Sequence, residues 1–314
     1  MPPAPPRNFE VIVLGGGPAG HSAGLVRGRC LRHTLICDDG HYRNRRSEAL
    51  HCFIGHDGVV PADLRQHCHH ELERYQTVSI VARTARNLRR EDGAFIVEFA
   101  DHAPVSASAL LVATGVVDEL PPIEGLAALF GRSVHVCPYC DGWEHRHAPV
   151  AVYGRGEKGA NFASLLRQWT HDLVLCSDGA ALAPELSTRL AACGIETNVK
   201  PIRRLEAVDG RLSAIVFADG DRLPRQALFF TTGQHPRSPL LEALGCTYDE
   251  KHGLLCDPDG RTSIAGVFVA GDVSRDVQLA VIAAAEGARA ALAINKYLFA
   301  AQCLEQEPGS GSAV

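Results

Sequence analysis

One short pattern is written twice into this chain, and it narrows the fold more than any other feature. Phe9–Leu14 is an apolar run entering Gly15-Gly16-Gly17-Pro18-Ala19-Gly20. A helix-like stretch follows to about Arg29, and a second apolar run, Thr34–Cys37, ends in Asp38 and Asp39. Val150–Tyr153 likewise enters Gly154-Arg155-Gly156-Glu157-Lys158-Gly159, a helix-like stretch runs to about Trp169, and Leu173–Cys176 ends in Ser177-Asp178. Each copy reads strand, glycine turn, helix, strand, acid. The first glycine permits a tight turn, Gly17 lets a pyrophosphate approach backbone at a helix N-terminus, and Gly20 allows close packing of helix on strand. Gly17 to Asp38 and Gly156 to Asp178 both match the spacing of roughly 20 residues to an acid that takes ribose hydroxyls. The expected fold class is α/β with two Rossmann-like, three-layer dinucleotide-binding domains.

Between the two copies stands Cys137-Pro138-Tyr139-Cys140-Asp141-Gly142. Two cysteines so spaced can close a small disulfide ring, and the acid beside the second can move protons. The chain has 11 cysteines, an odd number with a single CxxC spacing, which does not read as a secreted disulfide framework. In a reducing compartment such a pair is redox-active or a pair of metal ligands. The metal reading would complete a tetrahedral zinc shell from His135, His145 or His147, but it leaves both glycine units unexplained. A second invitation to metal, His67-Cys68-His69-His70, falls on a helix expected from Pro61 to Tyr75. Adjacent helical positions point in different directions, so the four cannot converge on one ion. That run is read as a solvated face, and no metal site is expected.

Length and charge bound the rest. The 314 residues suffice for two domains, and a net charge of -5 gives no reason to expect nucleic acid or an anionic membrane as partner. No apolar run approaches the roughly 20 residues of a membrane-spanning helix. The start, Met1–Asn8, is proline-rich without the apolar core of a secretory signal, so a cytoplasmic location is expected. Further strands are expected at Val78–Val81 and at Phe95–Phe99, the latter after an Asp92-Gly93 turn. Another is expected at Ala109–Val112, leading into Ala113-Thr114-Gly115, a small-residue turn echoed at Leu228–Gly233. Leu120–Ile123 reads as a crossing segment, Gly266–Gly271 as a strand delivering Asp272, and Gln278–Leu298 as an alanine-rich helix. The Gly/Ser-rich tail, Glu307–Val314, is expected to be disordered.

Taken together, Gly15-x-Gly17-Pro18-Ala19-Gly20, Ala113-Thr114-Gly115, Cys137-x-x-Cys140-Asp141-Gly142, Gly154-x-Gly156-x-x-Gly159 and Gly271-Asp272 followed by Gln278-Leu279-Ala280 resemble the low-molecular-weight thioredoxin reductases. The resemblance covers almost all of Phe9–Leu298 and implies an FAD-dependent disulfide oxidoreductase that works as a homodimer. It implies a discontinuous FAD domain, residues 1–116 and 246–314, around a central domain, 117–245, that carries the cysteine pair. Asp272 would bind the ribityl chain, with the backbone of Gln278 and Leu279 at the electron-poor end of the flavin. Asp38, with Asp39 beside it, would take the adenosine ribose, and the backbone near Ala85 the adenine. Cys140 would lie over the flavin and Cys137 would attack the partner, a thioredoxin-like protein or a small-molecule disulfide or dithiol. Asp141 would shuttle the proton if burial raised its pKa toward neutrality.

The chain departs from that family where NADPH is recognised. Members that use NADPH carry arginines after the second strand of the central unit, whereas here the strand ends Cys176-Ser177-Asp178-Gly179. A carboxylate repels a 2'-phosphate and suits a free ribose, so NADPH is disfavoured unless Arg203 or Arg204 folds back. The second dinucleotide site (Gly154, Gly156, Gly159, Asp178) is left with NADH, another dinucleotide such as a second FAD, or nothing. Arg155 and Lys158 would reach extra phosphate or point to solvent. The Arg43-Asn44 segment, with Asn44 counted among the cofactor residues, the His51–Gly58 loop and the non-basic strand end are similar to a subgroup that includes dithiol oxidases. There electrons run from dithiol to flavin to oxygen. The same motifs are compatible with an NAD(P)H-dependent thioredoxin reductase and with a flavin redox sensor that does not turn over.

Overall fold

Alternation along the first strand already sets three layers. In β1 (Arg7–Leu14), Val11 and Val13 face one side of the sheet and Ile12 and Leu14 the other, and all four are buried. A strand buried on both faces must be covered twice. The computed structural model describes residues 7–248, 254–274 and 277–305; the Gly/Ser-rich tail and most of the proline-rich start lie outside the described residues.

From β1 the chain runs through α1 (Pro18–Arg29), β2 (Thr34–Cys37), α2 (Pro61–Leu72), β3 (Val78–Val81), β4 (Ala85–Glu91), β5 (Ala94–Phe99) and β6 (Val105–Val112). It crosses at β7 (Val116–Asp118) into α3 (Leu126–Leu129), β8 (Val134–His135), α4 (Pro138–Asp141), β9 (Val150–Tyr153), α5 (Gly156–Leu166), β10 (Leu173–Cys176), α6 (Pro184–Ala192) and β11 (Glu196–Asn198). There follow β12 (Ile202–Val208), β13 (Arg211–Phe217), β14 (Arg222–Pro224) and β15 (Ala227–Phe230). The chain returns at β16 (Gln234–Pro236) to α7 (Leu240–Ala243), β17 (Val267–Val269) and α8 (Ala280–Glu305).

Two compact units result. Among the described residues the first takes the stretches up to Arg43, from Ala62 to Val117 and from Pro236 on; the second takes Asn44–Pro61 and Asp118–His235. The expected boundaries stood at 116/117 and 245/246. The units instead divide at 117/118 and 235/236, because Leu240 and Leu241 join the core of the first unit. The polar stretch 44–61 packs with the second unit, where Glu48 meets Arg211 at 2.5 Å.

The first unit holds a seven-stranded sheet with β3, β2, β1 and β6 side by side and parallel. Beyond β6 its two halves part company: Leu110–Val112 pair with β17, and Val105–Ala107 with antiparallel β5, which leads on to β4. One face packs on Ala19, Ala23, Ala290 and Ile294 of α1 and α8; the other packs on Leu240, Leu241 and Cys246. The second unit has a parallel sheet in the order β11-β10-β9-β15-β8, covered on one face by α5 and α6 and on the other by the antiparallel β12-β13-β14. The strands and helices expected around both glycine turns are present, so the α/β class and the doubled three-layer unit stand. Neither β4 nor the β12–β14 meander is expected from the sequence, although a signal for both is there. Asp92-Gly93 and Asp209-Gly210 form two-residue hairpin loops with positive φ at both positions (47° and 82°, 51° and 73°), which Asp-Gly favours.

Candidate active site

The cysteine pair is closed as a disulfide, with Cα atoms 5.3 Å apart. Proline takes the first helical position of α4, where its missing N–H costs nothing, so the turn begins between the two cysteines. Cys137 Sγ accepts the backbone N–H of Cys140 at 3.1 Å, a bond that also favours a thiolate on Cys137 once the disulfide opens. Sulfurs bonded to each other offer no thiolates to zinc, so the zinc ligand set is not assembled in this state.

Three polar groups stand in a row behind the pair. Asp141 Oδ1 lies 3.2 Å from His135 Nδ1, and His135 Nε2 lies 3.0 Å from His145 Nε2. His135 is only 5% exposed, carried inward at the end of β8 and packed beside Phe229 at 5.2 Å between ring centroids. Nδ1 donates to Asp141, and the Nε2 atoms of His135 and His145 share a single hydrogen bond. Burial, and next the neighbouring His135, lowers the pKa of His145 to about 4. His147 is exposed. On the open side Tyr139 and Trp143 are 59% and 63% exposed. Cys52 Sγ donates to the carbonyl oxygen of Tyr139 at 3.3 Å, and His51 stands between Asp57 and Glu144 at 3.4 and 3.3 Å. Cys52 also has a φ of 62°; sequence alone could not have brought it to the pair.

The first glycine turn is built for close approach. Gly15 has a φ of +114°, and a Cβ there would sit 2.3 Å from the carbonyl oxygen of Ala113. The start of α1 has no side-chain cap, and nothing lies within 4 Å of a Cβ at Gly17. Its first amide groups therefore face open space, next to Pro18, Ala19 and Gly20. Asp38, at the end of β2, is 6% exposed; its Oδ1 accepts the N–H of Gly40 at 3.0 Å and its Oδ2 the hydroxyl of Tyr42. Asp39 is spent in a turn, accepting the N–H of His41 at 2.9 Å. Thr114, between Ala113 and Gly115, keeps a buried Oγ1 with no hydrogen-bond partner.

The C-terminal part of the same unit adds Asp272 and Gln278, and one arginine grips both. Arg43 Nη1 reaches Asp272 Oδ2 at 2.8 Å and Gln278 Oε1 at 2.7 Å. Buried Glu286 accepts the N–H of Gly271 at 2.7 Å and the hydroxyl of Ser274 at 3.1 Å. Leu279 precedes α8 directly, and Ala85 opens β4. All these residues lie in the first unit, whereas Asn44 belongs to the second. Open amides at a helix start, an acid at the next strand end and an unpaired buried hydroxyl fit the pyrophosphate, ribose and polar edge of FAD. The sequence does not single out Arg43 as a clasp, since nothing local marks partners 229 and 235 residues away, nor does it single out Tyr42 or Glu286.

At the second glycine turn, Gly156 has a φ of 53° and open space around its Cβ position, while Gly154 and Gly159 pack against each other. The basic residues of this turn are exposed, and each also bonds a neighbouring group. Arg155 bonds Asp178 at both Oδ2 (3.0 Å) and the backbone oxygen (3.2 Å), and Lys158 bonds the carbonyl oxygen of Thr232 at 2.8 Å. Asp178 also takes the Tyr153 hydroxyl at 3.2 Å and the N–H of Ile202 at 2.8 Å. Arg204 is paired with Glu206 at 2.6 Å.

A family model described as pyridine nucleotide-disulphide oxidoreductase matches residues 9–287. The chain is 31% identical to the thioredoxin reductase tcpT of Claviceps purpurea, over 84% of this chain and 86% of that protein. It is 30% identical to a probable thioredoxin reductase of Arthroderma benhamiae, over 88% and 76%. The crystal structure of HlmI superposes with a TM-score of 0.90 at 31% identity, covering 95% of each chain.

Proposed function

From the premise that the chain belongs to the pyridine nucleotide-disulphide oxidoreductases, as a thioredoxin reductase-like FAD enzyme, we propose that it exchanges electrons between Cys137/Cys140 and a partner disulfide or dithiol without NADPH as its donor. The observation that carries this reading is Asp178. It is held in place by Arg155, Tyr153 and the backbone of Ile202, at the strand end where a 2'-phosphate would need a cation. A carboxylate there, its charge countered by Arg155, suits the hydroxyl pair of a free ribose better than a 2'-phosphate and leaves room for NADH or another dinucleotide at Gly154, Gly156 and Gly159.

In this reading Gly15, Gly17, Asp38, Thr114 and Asp272 hold the FAD, with Arg43 keeping Asp272 and Gln278 in position. When bound, FAD supplies the two-electron couple that the dithiol needs. The protein's own part is thiol exchange and proton handling. Cys137 thiolate attacks a partner sulfur, forming a mixed disulfide and releasing the other partner sulfur as a thiolate. Cys140 then attacks Cys137 Sγ, restoring the internal disulfide and freeing the second partner thiolate. The proton of Cys140 passes to Asp141, whose partner His135 and the neutral His145 behind it offer an inward route. The reverse direction, an oxygen-using dithiol oxidase, is the second reading. It is favoured by the pair of buried His135 and partly exposed Asp141, which supplies a base for an incoming dithiol, and by the exposed rings of Tyr139 and Trp143.

Anaerobic titration with NADPH, NADH and a dithiol in turn, following the flavin's visible band, tests the proposal. Bleaching by dithiol but not by NADPH is expected; rapid bleaching by NADPH would restore an orthodox reductase. Fast reoxidation in air after dithiol selects the oxidase direction. A single reduction without turnover would mark a sensor, and more than one flavin per chain would place the second in the central turn.

A further inference from the structure

The first unit holds a polar cluster that thiol chemistry does not use. His21 in α1, Asp38 at the end of β2 and His69 in α2 each offer one donor atom, and the three atoms lie within 4.8 Å of one another. His21 is 3% exposed, and its Nδ1 is committed to the carbonyl oxygen of Gly17 at 3.1 Å. A carbonyl can only accept, so Nδ1 carries the proton and Nε2 presents a bare lone pair. That Nε2 is buried and has no hydrogen-bond partner, and neither has the buried Nε2 of His69. His69 Nε2 stands 3.7 Å from Asp38 Oδ2, too far for a hydrogen bond. The two imidazole rings face each other with centroids 4.7 Å apart.

Two buried imidazole nitrogens without partners among the described residues are costly, and the carboxylate of Asp38, which also accepts the Gly40 N–H and the Tyr42 hydroxyl, lies beside them. We propose that His21 Nε2, His69 Nε2 and Asp38 Oδ2 form a binding site for a divalent transition metal, of the zinc type, with water as the fourth ligand. Donors about 2 Å from a tetrahedral ion stand roughly 3.4 Å apart, so closing the widest gap needs an approach of up to about 1.4 Å, to which the half-exposed His69 can contribute. The Gly17 carbonyl is the outer partner that metal-bound histidines ordinarily use to fix tautomer and ring orientation. Of the His67–His70 run only His69 is used, consistent with helical geometry. The ion shares Asp38 with the ribose contact proposed above, so metal and flavin are linked through one carboxylate. The test changes His21 and His69 and leaves Asp38 intact, so failure of the metal site is distinguishable from failure of the ribose contact.

The test is equilibrium dialysis of the oxidised, flavin-containing protein against zinc, with metal counted per chain by elemental mass spectrometry. His69→Gln, on the partly exposed helix, and His21→Gln are compared with wild type. Their shared background from the free cysteines cancels in the difference. Wild type should hold one more tightly bound zinc than either variant, with at least about tenfold weaker binding at the site when one ligand is lost. Equal zinc content in wild type and His69→Gln, with that variant folded by circular dichroism, would overturn the proposal. An additional zinc lost only when Cys52 or another cysteine is replaced would also overturn it. His21→Gln that misfolds leaves the His69→Gln comparison to decide.

Discussion

Glu286 anchors the Gly271–Ser274 turn of the first unit, where Asp272 is proposed to meet the flavin. It sits on α8, 8% exposed, and its Oε2 takes the N–H of Gly271 at 2.7 Å and the hydroxyl of Ser274 at 3.1 Å. Glu286→Ala removes both bonds and leaves the Gly271 N–H buried without an acceptor. Hydrogen bonds to a charged group contribute about 1.5–3 kcal/mol each, and an orphaned buried donor costs about 1–3 kcal/mol. Allowing for relief of the buried charge, the loss should be about 3 kcal/mol. For a folding unit of this size that lowers the melting temperature by roughly 6–12 °C. Thermal unfolding followed by circular dichroism measures it, and flavin retained after gel filtration reports on the Gly271-Asp272 turn. Glu286→Gln, which keeps an oxygen acceptor, should fall between wild type and alanine. A melting temperature within about 2 °C of wild type for Glu286→Ala, with full flavin content, would refute the assignment of Glu286 as the turn's anchor.

Three further outcomes follow from the same kind of accounting. His145 is held neutral, its pKa lowered to about 4 by burial and His135. The unfolded chain then binds the proton more readily as pH falls below about 6.5, and roughly 2–3 kcal/mol of stability disappears between there and pH 4. His145→Gln should shrink the difference in urea midpoint between pH 7 and 4.5; an unchanged difference would mean the ring titrates freely in the fold. Among the described residues Arg27 is fully buried with Nε and Nη2 unpartnered, and its Nη1 reaches Ala291 O at 3.4 Å and Asn295 Oδ1 at 3.3 Å. Arg27→Met should therefore leave stability unchanged or raise it by about 1–4 kcal/mol, and a clear loss in chemical denaturation would show that the guanidinium is better satisfied than its geometry implies. Cys137→Ser should leave Cys140 as a free thiolate, giving a long-wavelength charge-transfer absorption with the flavin; that band in Cys140→Ser instead would reverse the roles of the two sulfurs.

What could be read in the sequence was whatever is encoded within one element or its nearest neighbours. The runs Val11–Leu14 and Val150–Tyr153 could be read as buried strands because every residue in them is apolar and both faces are covered. Glycines at fixed offsets announced the turns, since few other residues permit a φ of +114° or so close a backbone approach as at Gly15. The CxxC spacing left a disulfide or a metal pair open, and the two glycine units beside it favoured the disulfide that Cys137 and Cys140 form. Local order failed where the signal was weak, at β4 before the Asp92-Gly93 turn and at the strands around Asp209-Gly210, which alternate only weakly.

Tertiary structure alone decided which side chains meet. The sequence offers Arg155 phosphate or solvent, and folding turned it onto Asp178. His135 and His145 have the spacing of candidate zinc ligands, and β8 and the turn after α4 made them a row behind Asp141. Arg43 found Asp272 and Gln278, and His21 found Asp38 and His69, across loops that no periodicity describes. The physical reason is the same in each case. Backbone conformation follows from sterics and burial within a few residues, whereas a polar contact depends on two elements being brought to within about 3 Å. That distance is fixed by the packing of the whole unit.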